Sequence, residues 1–237
     1  MATGFQYREI QGFPKMEELG QQYVTSNQLA LLLPGIDGDD TVHSIIRFLG
    51  ESSHPDFWRY HVEHETVKPY TVRFNQTRRD SVIIVEKLDV FIPKNYTYLW
   101  AESKSSILNE LLQRIKDTEQ TLDRSFEFRE QKVDLVKLGK AIQADITGGH
   151  FSQLNIVDVQ AASLFGPGVG ESEDWHRYEE SGETSAINIK TTFRGELHTI
   201  MITRTKGIVV YSRLHEREYL ELIEQVNDQL GKYIVLG

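Results

Sequence analysis

From Ser81 onward, hydrophobic and polar positions fall into short blocks and then change period. Residues 82–85, 88–92 and 96–100 are apolar runs of strand length. Within 103–116, Ile107, Leu108, Leu111, Leu112 and Ile115 recur at the spacing of one helix face. The predicted order is strand, strand, strand, helix, with the apolar side of the helix lying across the sheet it follows. A looser version closes the chain, where residues 186–193, 197–203 and 208–211 precede a helical pattern over 214–230 that stops at Gly231. The fold class predicted is α+β, as two antiparallel meander-plus-helix units. A pseudo-duplicated sheet with its helices on one face would account for both.

The intervening segments are read in the same way. Phe13, Met16, Leu19, Tyr23 and Val24 follow helical spacing after Pro14, and a second helix is expected over 41–49 behind the Asp-Gly-Asp-Asp turn at 37–40. That turn does not have the form of a calcium loop, because its sixth position is Val42 and its twelfth is Phe48. Residues 57–67 alternate as a strand, which sends His61 and His64 to opposite faces and argues against a two-histidine metal site. Residues 70–74 and 82–85 are expected to pair as a hairpin around 75–80. A short helix over 133–142 should end near Gly148 and Gly149, and a strand or two should follow in 151–164. Residues 165–182 have no periodicity and read as a long irregular loop. The units expected are 1–117 and 132–237, with 118–131 as a charged helix or linker.

Composition narrows the classes. The 237 residues include no cysteine, which removes disulfides, thiolate metal sites and thiol nucleophiles and favours a reducing compartment; the expected location is cytoplasmic. No apolar run reaches the roughly 18 residues a bilayer span requires, so no membrane association is expected. A net charge of -9 disfavours general attraction to nucleic acid, although Arg73, Arg78, Arg79, Arg194, Arg204 and Lys206 fall in predicted turns and could gather on one face. The acidic excess concentrates between Glu171 and Glu183.

Candidate chemistry is sparse. Asp89, followed by Glu102 and Lys104 in a Glu-x-Lys triplet ahead of a helix, resembles the core of restriction-endonuclease-like metal-dependent nucleases. The resemblance implies two carboxylates holding a divalent cation and a lysine orienting the attacking water. It departs from that family in the polar Tyr96 and Thr97, and Glu102 could equally serve as a favourable charge at a helix N-terminus. No catalytic residue, metal or cofactor is therefore assigned. Gly166, Gly168 and Gly170 lack the strand and helix that flank a phosphate-binding glycine motif, and no serine nucleophile elbow occurs. The paired-unit layout is similar to the saddle of the TATA-binding protein, which implies one antiparallel sheet with both helices on the same face. Layout alone does not confer that protein's function.

The reading these features favour is a non-enzymatic intracellular binding protein, an adaptor or accessory subunit that meets a protein partner through the 165–183 loop. Trp175, His176, Tyr178, Glu173 and Asp174 are the expected contacts, the aromatic residues supplying stiff contact area. The alternatives are a nucleic-acid-binding protein using the basic turns and a divalent-metal-dependent nuclease.

Overall fold

The computed structural model describes residues 2–15, 22–28, 41–74, 77–79, 81–142 and 145–235. By its internal contacts the chain forms two compact units, Arg8–Arg129 and Met1–Tyr7 with Glu130–Gly237. The class is α+β with antiparallel sheets. Among the described residues, no helix is long and apolar enough to cross a membrane.

In the Arg8–Arg129 unit, β1 (Thr3–Gln11) contributes its second half. It is followed by β2 (Gln22–Gln28), β3 (Thr41–Glu51), β4 (Phe57–Lys68), β5 (Val72–Phe74), β6 (Thr77–Arg79), β7 (Val82–Pro93) and β8 (Tyr98–Glu102). Strands β8, β7, β4, β3 and β2 lie side by side in that order. The ladder between β4 and β7 runs unbroken from Phe57 opposite Pro93 to Lys68 opposite Val82. One face alternates Tyr60, Val62, His64 and Thr66 on β4 with Leu88, Val90 and Ile92 on β7, all buried. Across that face lies α1 (Ser105–Thr121), burying Ile107, Leu108, Leu111, Leu112 and Ile115 as its periodicity predicts. Each of these fully buried aliphatic side chains stabilises the fold by about 1.5–3 kcal/mol relative to exposure. After α1, β9 (Glu127–Arg129) pairs with Glu9–Gln11.

The second unit begins with Thr3–Gln6 of β1, which pairs with β15 (Gly207–Val210). Between them come β10 (Lys132–Val133), α2 (Leu135–Ala141), β11 (Ile146–Ile156), β12 (Val159–Phe165), α3 (Glu173–Ser181), β13 (Glu183–Phe193) and β14 (Glu196–Thr203). The sheet order is β12, β11, β13, β14, β15. After β15, α4 (Glu216–Leu230) buries Leu220, Leu222, Ile223, Val226 and Leu230, and β16 (Ile234–Val235) pairs with β10. Helices α2 and α4 share the sheet face that carries Ile189 and Ile202, and with them line an apolar cavity of about 130 Å³. Both units therefore carry the expected meander followed by a helix.

Several local expectations are corrected. Residues 41–49 form strand β3, not a helix, because Val42, Ser44 and Ile46 alternate into the core while β3 pairs along β4; sheet pairing overrides the N-cap-like turn before it. Tyr23 and Val24 belong to β2, so the proposed first helix does not extend to them. Met16 and Leu19, the 29–33 run and the 37–40 turn lie outside the described residues. Residues 72–74 pair with 77–79, whereas 82–85 pair with β4. Gly148 and Gly149 sit within β11, and 173–181 are helical.

Candidate functional site

The full-length pairing of β4 with β7 places His61 opposite Asp89, and the β7–β8 register, Val90 opposite Ala101, carries Asp89 toward Glu102. Two candidate carboxylates from separate strands thus meet on one sheet face. Asp89 is already engaged there: Arg59 donates Nη2–H to its Oδ2 at 2.6 Å, and His61 Nδ1 lies 2.8 Å from its Oδ1. Partial burial and then the neighbouring Asp89 push the Glu102 carboxyl above its ordinary value, with Arg59 opposing. Lys104 is exposed at the N-cap position of α1, and its side chain makes no capping hydrogen bond there. Among the described residues no group of three or more histidines and carboxylates could hold a metal ion. The arrangement is a charge-compensated cluster beside a carboxyl that binds its proton more tightly than usual. Arg59 and His61 escaped the sequence reading because only the strand register reveals them.

On the opposite, helix-covered face the same strands build a buried polar layer. Ser44 Oγ lies 2.8 Å from His64 Nδ1, and Arg114 of α1 donates Nη1–H to Ser44 Oγ at 2.8 Å and to the His43 carbonyl at 3.0 Å. Its Nη2 serves the Glu65 carbonyl and the Glu110 carboxylate. The guanidinium takes an acceptor site on the hydroxyl, so the Ser44 proton points to Nδ1 and His64 keeps its own on Nε2, 3.7 Å from Glu110. The trio superficially matches a serine, histidine and acid. Ser44 and His64 are fully buried, however, and the hydroxyl is held by an arginine, so the layer is structural.

The five partner-contact candidates separate. Trp175 is 3% exposed and packs edge-on to Phe151 at 5.0 Å, with its six-membered ring over Gly149, where a Cβ would come within 2.4 Å of it. Tyr178 leans on the same Phe151 at 5.7 Å. Glu173, Asp174 and His176 remain exposed. Ser172 caps α3 by accepting from the Trp175 N–H, and the two acids in the first turn favour the helix dipole. Loop and aromatic residues thus form a short, anchored helix that shows solvent an acidic side.

The basic candidates do not form one patch within the second unit. Arg194 and Arg204 stand in turns at opposite ends of β14, Arg194 paired with Glu218 and Glu221 and Arg204 with Glu183. Lys206 is 3% exposed, its ammonium 3.5 Å from the Tyr7 ring centroid and 2.5 Å from Gln131 Oε1. In the other unit, Arg73 is exposed and opposes Arg78 across the β5–β6 ladder, with Arg79 opposite Val72.

A further surface was not anticipated. Among the described residues, β12 pairs only with β11, leaving its outer edge open. Val-Gln-Ala-Ala-Ser-Leu-Phe carries no charge and no proline, and exposed Val157 (87%) and Phe165 (62%) bracket it. The charged side chains, prolines and coverings that usually guard such edges are missing from the strand itself. The sequence signal was present as an uncharged run, but nothing in it marked the strand as an edge. No protein-family model and no curated protein matches this chain.

Proposed function

We propose that this protein is a non-enzymatic intracellular binding protein, an adaptor or accessory subunit, whose recognition surface is the β12 edge with the acidic side of α3 beside it in sequence. The observation that carries this reading is the unguarded, uncharged edge strand bracketed by exposed Val157 and Phe165. An open strand edge offers a row of backbone donors and acceptors that another extended chain satisfies, and flanking apolar side chains supply contact area. Trp175 supports the surface from beneath by anchoring α3. The Asp89 cluster does not compete with this reading, since Arg59 and His61 occupy the carboxylate that a cation would need.

A photo-cross-linking amino acid at Val157, introduced in cells and read by mass spectrometry, tests the proposal. A discrete protein adduct, to another protein or to this one, is expected at Val157 and absent when the same label replaces exposed Leu122. Equal labelling at both positions, or none at Val157, overturns it.

A further inference from the structure

The occupant of the β12 edge follows from the chemistry of the strand. The Gly166 N–H donates to the Thr147 carbonyl, which makes 147 and 166 a hydrogen-bonded pair of the antiparallel ladder. Pairs then alternate along the register of Phe151 with Ala162 and Ser152 with Ala161. Leu164 and Ala162 turn their backbone groups toward β11, while Phe165, Ser163 and Ala161 turn theirs outward. The outward edge is thus a set of unsatisfied N–H and C=O groups on a strand with no charged side chain. Self-pairing of most natural edges is blocked by like charges meeting across a two-fold axis. Here that repulsion is missing.

Resting on the reading of β12 as a binding edge, we infer that its occupant is a second copy of this chain, joined by antiparallel β12–β12 pairing about a two-fold axis through Ala162. This register sets Ala161 against Ser163 and Val159 against Phe165, and it mates the whole strand, 159–165. Moving the axis to Ser163 would bring Val159 against Pro167, which has no N–H to donate. Moving it to Ala161 would leave Leu164 unmated and bring Phe165 to the turn residue Val157. The interface is isologous, as a closed dimer requires. Ala162 meets its symmetry mate as a pair without mutual hydrogen bonds, where side chains stand closest, about 4.5–5.5 Å between Cβ atoms.

The chain has no cysteine, so single cysteines report this register without background. Light scattering on the wild-type protein at tens of micromolar should give twice the chain mass. On mild oxidation A162C should form a disulfide-linked dimer at least tenfold faster than Q160C, whose symmetry mates lie four residues apart in this register. A161K, with unchanged circular dichroism, should run as a monomer. A monomeric wild type overturns the proposal, as does equal cross-linking of A162C and Q160C or a dimeric A161K. A monomeric wild type that still cross-links another protein through Val157 would sink this inference alone. Failure of the Val157 adduct would sink the functional reading beneath it.

Discussion

His64 sits in the polar layer under α1 with Ser44 on one ring nitrogen and Glu110 beyond the other, and Arg114 of the same helix holds the serine. Burial first, then the positive charges of Arg114 and Lys68, lower its pKa from 6.5 to about 4. The folded value lies below the unfolded one, so the neutral ring is favoured by the fold. The associated stability is complete above pH 6.5 and is lost as pH falls toward 4, because the unfolded chain takes up the proton first. The loss amounts to about 3 kcal/mol over that window at 1.36 kcal/mol per unit. Urea unfolding at pH 7 and pH 4.5 should therefore differ more for the wild type than for H64Q; parallel pH dependences would contradict the assignment. Arg114 is under related strain, since burial lowers its pKa while Glu110 and Glu65 oppose the shift.

At the scale of elements, α3 depends on one ring. Trp175 fills the space over Gly149 and against Phe151, so the helix is fixed by an aromatic wedge as well as by its Ser172 cap. W175A should cost about 3–5 kcal/mol, the usual cost of removing a buried tryptophan. G149A should cost about 1–3 kcal/mol by driving a methyl group into the ring. Both are measured by thermal unfolding, and both should broaden near-ultraviolet circular dichroism. A Trp175 variant with wild-type stability would return that residue to the recognition surface expected from the sequence. The spacing of aromatic and acidic residues in 173–178 was legible in the chain. Which aromatic faced inward was decided by Gly149 and Phe151, more than twenty residues earlier, and no local pattern encodes that contact.

For the molecule as a whole, the segment that completes the second unit lies at the opposite end of the chain. Thr3–Gln6 form the strand beside β15, and Phe5, 2% exposed, stacks near Tyr219 of α4 at 5.7 Å while Tyr219 receives a hydrogen bond from Thr3. A fragment of residues 130–237 should accordingly lack cooperative unfolding. Joining residues 1–7 to it through a flexible linker should restore it, as followed by circular dichroism during heating. A fragment that unfolds cooperatively by itself would show β1 to be dispensable. The sequence division into 1–117 and 132–237 leaves the first seven residues with the first segment. The contacts unite them with the second.

Hydrophobic periodicity by itself determined the meanders, helices α1 and α4 and the α+β class, because apolar side chains at periods near 2 and 3.6 must be buried whatever their partners. It also separated His61 from His64 to opposite faces. Only the tertiary structure decided that residues 41–49 pair as a strand, that Asp89 is compensated by Arg59 and His61, that Lys206 is covered beside Tyr7, and that β12 is an edge. Each of these depends on strand order and register between distant segments. Those follow from the packing of the whole unit, and a run of residues carries no record of its neighbour in space.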